Sequence, residues 1–364
     1  MCRVISLSLR ILEERAGVRQ IQKFNNLAFD LPTKTMKETL TYLFEGNVLS
    51  QVKAKEVLTE LASGKFSEAE MASFLTVYMM RKITPQEILG FREAMLGLAV
   101  SVDLNEYSTI DVCGTGGDGK NTFNISTLSA FILAGAGAKV VKHGNYGLSS
   151  PCGSSNIFEY FGYKFSTDND KLKKELEECG VCYFHAPIFH PAMKNIGPVR
   201  KALKVKTFFN MLGPMTNPAR PQNQFVGVFS TEAQKLYAEV YQLAGIRHGI
   251  AHSIDGYDEI SLTGDFRISS NGKDDLYSPE SIGFSIITPE ELHGGNTVEE
   301  AAAIFLSILE GKGTKTQNDV VIANSAFALA CYFPEKSLPD CIEIAKESLN
   351  SGKALKVFKK LFNK

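Results

Sequence analysis

Four glycines within six residues, Gly114, Gly116, Gly117 and Gly119, follow the apolar run Ile110-Asp-Val-Cys113, with Thr115 and Asp118 set between them. Behind them come Asn121, Thr122, Asn124, Ser126 and Thr127, a crowd of small hydrogen-bonding side chains. Glycine lets a backbone curl close to a ligand, and successive backbone N–H groups beside a helix N-terminus form a site for phosphate. The order reads as strand, glycine-rich loop and helix start, with the helix capped near Ser126 or Thr127. Asp118 would repel a bare phosphate, so a metal ion is implied with it. Gly114 to Lys120 also meets most of a nucleotide-binding P-loop pattern, but Asn121 stands where that pattern needs a magnesium-holding Ser or Thr. A tight turn that binds nothing is the bland alternative.

A second loop of the same kind follows the run Lys139-Val-Val-Lys142: His143-Gly-Asn145-Tyr-Gly-Leu-Ser149-Ser150-Pro-Cys-Gly153-Ser154-Ser155-Asn156. Two strand-to-helix loops rich in donors can face one cavity. Cys179 and Cys182, with His185 and His190 downstream, superficially suggest zinc, yet a thiolate site normally brings a second well-spaced pair. The reading preferred here is structural: a helix over Lys171 to Cys179, Gly180 as its C-terminal glycine, a buried strand over Val181 to His185, and thiols in or near the core.

The elements that must hold these loops can be read from periodicity. From Met36 to about Leu98 apolar positions recur at helical spacing, and the punctuation predicts four helices. Gly46 closes the first, Ser50 caps the second, Ser67 with Glu70 forms a capping box, and Thr84, Pro85 and Glu87 supply cap, first-turn proline and third-position glutamate. Beyond Thr109, short apolar runs, Phe225-Val-Gly-Val-Phe229 among them, alternate with helix-length segments such as Thr231 to Ala244, which argues for an α/β unit. Helices are expected over Val298 to Glu310, over Asp319 to Tyr332, and from Asp340 toward the C-terminus. Residues 1 to about 35 look different and are treated as an extension of unknown order.

Composition bounds the partners. Lys and Arg number 39 against 40 Asp and Glu, a formal charge of -1, so no global basic field holds nucleic acid or an anionic membrane. Val4 to Leu12 is broken by Arg10 and lacks a cleavage pattern, against a signal peptide. No window is apolar enough to span a membrane. Seven cysteines without framework spacing read as reduced thiols, and the expected compartment is the cytoplasm.

Gly-Thr-Gly-Gly-Asp-Gly, Asn-Ile-Ser-Thr and Lys-His-Gly-Asn, in this order, resemble the anthranilate phosphoribosyltransferases. So do His190-Pro-Ala-Met-Lys, Pro198-Val-Arg200, Phe209-Asn-Met-Leu-Gly-Pro-Met-Thr-Asn-Pro218-Ala and Asp258-Glu-Ile-Ser-Leu-Thr263. The likeness runs from about Met36 to the C-terminus. It implies an α/β fold with two parts. A small all-helical domain would span 36–105 with a return segment near 190–219. A larger α/β domain would span 106–189 and 220–364, with a central mixed sheet flanked by helices, and would carry phosphoribosyl pyrophosphate (PRPP).

The resemblance implies transfer of the 5-phosphoribosyl group from PRPP to the amine of anthranilate, with Mg²⁺, in tryptophan biosynthesis, by a homodimer. It assigns PRPP to Gly114, Gly117, Asp118, Thr122, Asn124, Ile125, Ser126, Thr127, Lys142, His143, Gly144, Asn145, Tyr146, Gly147, Leu148, Ser149, Ser150 and Ser154. It assigns anthranilate to Gly114, Asn145 and Arg200, whose planar fork suits a carboxylate, and the metal to Ser126, Asp258 and Glu259. Taken singly, Lys142 reads as a solvated lysine, Arg200 as a surface charge and Asp258-Glu259 as a solvated loop; the motifs around them reverse this. No side chain is required as acid or base, because an aniline-type amine is already unprotonated and positioning should dominate. His143 and His190 could line the pocket or be structural. Tyr146 stands where the family commonly has arginine, and Asn156 replaces a common aspartate, which touches loop geometry and affinity rather than the reaction. The competing functions are a pyrimidine nucleoside phosphorylase and a catalytically silent nucleic-acid-binding relative; Arg200 with Asp258-Glu259, and the balanced charge, argue against them.

Overall fold

The computed structural model describes residues 35–147 and 150–363. The expected N-terminal extension, up to residue 34, lies outside these, as do Leu148 and Ser149. Four helices open the described chain: α1 (Met36–Phe44), α2 (Gln51–Ala62), α3 (Glu68–Met80) and α4 (Pro85–Leu98). Side-chain caps start each of them. Ser50 accepts from Lys53 N, and Ser67 with Glu70 and Thr84 with Glu87 form reciprocal capping boxes. A third box, Thr35 with Glu38, starts α1.

Beyond them lies one seven-stranded sheet built from β1 (Ile110–Gly114), β2 (Val140–Gly144), β3 (Val181–His185), β4 (Asn223–Gly227), β5 (Arg247–Ser253), β6 (Phe266–Ser270) and β7 (Lys273–Tyr277). The order is β3-β2-β1-β4-β5-β6-β7. The first five strands are parallel and the last two pair antiparallel, so the sheet is mixed. From β1 the chain builds outward first to β2 and β3, then to β4 and β5 on the other side. That makes the β1/β4 boundary a topological switch point, where parallel sheets place their ligands at the C-terminal ends of the strands.

Helices α5 (Ile125–Gly135), α6 (Ser154–Tyr160), α7 (Asn169–Cys179), α8 (Met193–Leu203), α9 (Thr231–Leu243), α10 (Val298–Leu309), α11 (Lys315–Tyr332), α12 (Leu338–Asn350) and α13 (Lys353–Leu361) complete the chain, with short helical turns at Ala186–Phe189 and Phe209–Leu212. Three boundaries differ from the reading of the sequence. Thr314 and Gln317 box the start of α11, four residues ahead of Asp319. The segment after Asp340 is two helices, divided where Gly352 takes φ +75. The Phe225 run begins at Asn223 and leaves the sheet after Gly227.

One core joins β1 and β2 to α5, α11, α12 and α13. A second joins α2, α3 and α4 to Ile196, Val199, Phe208, Phe209, Leu212 and Met215, then runs through Tyr237, Val240 and Tyr241 of α9 onto Val226 and Ile250 of the sheet. Chain from the 190–219 region thus packs among the first helices, although it lies between β3 and β4 in sequence. Cys179 and Cys182 are buried, at the end of α7 and in β3.

Candidate active site

The ends of β1 and β4 are both glycine, and Gly114 and Gly227 are register partners. A Cβ on Gly227 would collide with the backbone carbonyl of Asp258, and one on Gly114 with its carboxylate. Glycine at these two positions is what lets the Asp258-Glu259 segment lie across the switch point. The Asp258 carboxylate accepts a hydrogen bond from Gly116 N at 2.5 Å, so it pins the turn of the glycine loop. Both carboxylates are buried. Burial pushes the proton affinity of Asp258 well above the usual range, and the neighbouring charge of Glu259 pushes it further. Burial raises Glu259 too, against Lys142 and hydrogen bonds from the hydroxyl and N–H of Ser126.

Two adjacent buried carboxylates and a hydroxyl are hard oxygen donors suited to Mg²⁺, which binds few protein groups and keeps water and substrate phosphates as its other ligands. Among the described residues no three His, Cys, Asp or Glu side chains converge as a complete metal cage. The donor set therefore fits a metal that is shared with a phosphorylated substrate.

Lys142 lies beneath this pair. It is 2% exposed, and its ammonium donates to Val112 O at 2.7 Å and to Ser126 Oγ at 3.5 Å. Burial lowers its pKa, while Asp111, Cys113 and Glu259 oppose that. Asp111, fully buried in β1, accepts from His143 N at 3.2 Å and from Asn217 Nδ2 at 2.9 Å. Burial pushes its pKa up to about 6, against the pull of Lys142.

The start of α5 differs from the expected cap at Ser126 or Thr127. The N-cap is Asn124, whose side chain makes no cap hydrogen bond. Ser126 is turned to Glu259 instead, and the Asn124 amide donates to Cys152 O at 3.1 Å, tying the glycine loop to the second loop. Asn124 itself takes none of the N–H donors of the first turn, which an anion site at a helix N-terminus draws on, while the Ser126 N–H is held by Glu259. Thr127 is buried one residue further on. Thr122 forms an isolated bridge with His293, and Phe123 N donates to Leu292 O at 3.0 Å, so a strap from residues 292–295 backs the loop.

In the second loop, Asn145 Oδ1 accepts from Tyr146 N at 2.8 Å and its carbonyl from Ser155 N at 3.1 Å. The Asn156 amide oxygen accepts from both Gly147 N, at 3.0 Å, and Gly153 N, at 2.9 Å. That is a pure acceptor role, and it accounts for an amide standing in an aspartate's place. Tyr146 sets its ring edge against His185, 5.0 Å between centroids, and reaches Glu159. Gly144 approaches Ser154 and Tyr183 so closely that a Cβ would strike both hydroxyls, which bond each other at 2.8 Å. Ser150 Oγ donates to Cys152 O at 3.4 Å.

Arg200, on α8, is half-buried with its guanidinium 5.0 Å from the centroid of Phe209. Burial lowers its pKa with nothing opposing, and among the described residues no carboxylate pairs with it. The segment that carries it touches both loops. At one end the His190 ring lies edge-on to His143, 5.4 Å between centroids. At the other, Lys206 Nζ donates to Gly117 O at 2.6 Å. Burial holds His143 down at about 3 and His190 at about 4, so both rings are neutral. His143 Nε2 and His190 Nδ1 are buried without a hydrogen-bond partner.

Asp111, Asn217, Lys206 and the 292–295 strap were not singled out from the sequence. A carboxylate inside the apolar run of β1 was a visible signal for Asp111. The others depend on contacts across about 90 to 170 residues, for which no local pattern exists.

Residues 106–355 match the model of a glycosyl transferase family's a/b domain, and residues 37–99 that family's helical bundle domain. The anthranilate phosphoribosyltransferase of Flavobacterium johnsoniae is 53% identical over 326 residues, 90% of this chain and 98% of the relative. Among solved structures, the anthranilate phosphoribosyltransferase of Thermus thermophilus superposes with a TM-score of 0.84 at 34% identity, covering 89% of this chain and 98% of that one. The enzyme of Saccharomyces cerevisiae in complex with PRPP and Mg gives 0.84 at 25% identity over 91% of this chain and 98% of its own.

Proposed function

The chain belongs to the anthranilate phosphoribosyltransferase family, and from that premise we propose how its residues carry out the reaction. The enzyme transfers the 5-phosphoribosyl group of PRPP to the amine of anthranilate, giving N-(5-phosphoribosyl)anthranilate and pyrophosphate in tryptophan biosynthesis, with Mg²⁺ as cofactor.

The glycine loop and the start of α5 bind the phosphates of PRPP through backbone N–H groups, with Gly114, Gly117, Asp118, Thr122, Asn124, Ile125, Ser126 and Thr127 as its surface. Lys142, His143, Gly144, Asn145, Tyr146, Gly147, Ser150 and Ser154 form the opposite wall; Leu148 and Ser149 belong to the same assignment. Asp258, Glu259 and Ser126 would hold Mg²⁺, which would supply Lewis-acid stabilisation of the leaving pyrophosphate. Lys142 keeps a positive charge under those donors. Arg200 takes the anthranilate carboxylate and Asn145 orients the amine, with Gly114 assigned to the same pocket. Two neutral histidines and an amine that needs no deprotonation leave positioning as the main source of rate.

The observation that carries this reading is the placement of Asp258 and Glu259 across the ends of β1 and β4, against the glycine loop and over Lys142. The division into residues 36–105 with 190–219, and 106–189 with 220–364, is supported by the second core, which joins α8 to the first helices. The enzyme acts as a homodimer in the cytoplasm.

The test is the loss of anthranilate fluorescence on adding PRPP and Mg²⁺. The signal should fall with both present and stay constant without PRPP or with the metal chelated. The double variant Asp258→Ala/Glu259→Ala should be inactive yet keep wild-type circular dichroism; full activity in it would remove the metal assignment.

A further inference from the structure

Lys206 is contributed by the chain that packs among the first helices, yet its ammonium donates across 89 residues to the carbonyl of Gly117 in the glycine loop, at 2.6 Å. Two features aim it there. Lys204 ends α8 in the left-handed region, φ 54, and reverses the chain. Thr207 N then bonds Asn210 Oδ1 at 3.1 Å, fixing the residue that follows. The Lys206 ammonium also lies 5.2 Å from the ring centroid of Phe229, just past the end of β4. It therefore sits at the switch point, beside the tips of both central strands. Among the described residues no carboxylate pairs with it.

The peptide that Lys206 grips is one the sequence leaves undetermined. Gly116 and Gly117 take φ +69 and +78, and glycine visits either hand of the φ/ψ map at similar cost, so local preference does not decide which way this peptide faces. In a planar trans peptide the carbonyl of Gly117 and the N–H of Asp118 point in opposite directions. A cation that captures the carbonyl therefore also turns the Asp118 N–H away from itself. Asp258 fixes the preceding part of the loop through Gly116 N, and Lys206 fixes the part after it.

We propose that Lys206 is a positioning residue for PRPP: by holding the Gly117 carbonyl it presets the Asp118 N–H, on the opposite side of that peptide, as a phosphate donor. Since it comes from the helical part of the molecule, the pyrophosphate half of the site is complete only with that part in place. The inference rests on the reading that the glycine loop binds PRPP.

The experiment compares Lys206→Met, Lys206→Arg and, as an exposed control on α9, Lys235→Met, reading KM for each substrate, kcat and the thermal midpoint. Lys206→Met should raise the KM for PRPP roughly two- to fivefold, the range of an exposed charge contact. The KM for anthranilate and the midpoint should stay at wild-type values, Lys206→Arg should recover most of the loss, and Lys235→Met should match wild type. An unchanged KM for PRPP in Lys206→Met overturns the inference, as does an equal rise for both substrates with a lowered midpoint, which marks a merely structural role. Thr122→Ala tests the underlying reading separately. If it raises the KM for PRPP and Lys206→Met does not, only the role of Lys206 falls; if neither does, the loop assignment falls with it.

Discussion

Arg200 carries a guanidinium into a half-buried position where the face of Phe209 meets it and no carboxylate among the described residues does. A charge that is desolvated without a counter-ion costs stability, so the position suits an anion that arrives with the substrate. Arg200→Ala should therefore raise the KM for anthranilate about ten- to a hundredfold, the worth of a charged hydrogen bond of roughly 1.5–3 kcal/mol. It should leave the KM for PRPP unchanged and the thermal midpoint unchanged or higher. Steady-state kinetics with each substrate varied in turn checks this, and equal weakening of both would remove Arg200 from the anthranilate pocket. At this scale the sequence was informative about type and poor about surroundings. The motifs identified Lys142, but not that its ammonium is buried against Val112 O between Asp111 and Glu259. They grouped Ser126 with Asp258 and Glu259 at the metal, but the local pattern also read it as a helix cap, whereas its hydroxyl and N–H both go to Glu259. In both cases the missing information was a contact between separate strands and loops.

Helix starts were the most legible elements, because a cap is settled within four residues. Ser67 with Glu70 and Thr84 with Glu87 close their boxes as their types require. The strands β6 and β7 were not legible: Lys273–Tyr277 is polar and exposed, and only pairing with β6 makes it a strand. Glu87 shows how much a local motif can conceal. Besides capping α4 it is fully buried, and it accepts from Leu49 N, from Tyr78 OH and from Arg81. Burial pushes its pKa up, but the bonds from Arg81, Leu49 and Thr84 outweigh that and hold it below the usual value. A lowered carboxylate contributes stability that is present above its unfolded pKa and is lost as pH falls through the folded value. Glu87→Ala should cost about 3 kcal/mol, since it strands the Arg81 cation and the Tyr78 hydroxyl together. Urea unfolding at pH 7 measures this, and a cost near 1 kcal/mol, that of a cap alone, would show that the buried network adds nothing.

At the scale of the whole molecule, the first helices carry large apolar side chains that their core leaves exposed. Phe44 is 68% exposed and Met80 84%, the two most exposed large apolar side chains among the described residues, and Val48 and Val52 add to them. Scattered exposed apolar residues are ordinary, but these fall at the end of α1, the α1–α2 connection, the start of α2 and the end of α3. None of them belongs to the core that joins this part of the chain to the sheet. A homodimer formed through these residues would cover them. Carboxylates introduced there should oppose one another across a symmetric interface, because a two-fold axis brings the same patch from each copy together. Phe44→Glu/Met80→Glu should therefore shift the sedimentation coefficient from that of a dimer to that of a monomer, while circular dichroism keeps its wild-type shape because both side chains already face solvent. A double variant that sediments with the wild type would place any self-association elsewhere. A wild-type protein that sediments as a monomer at micromolar concentration would leave the patch without its partner.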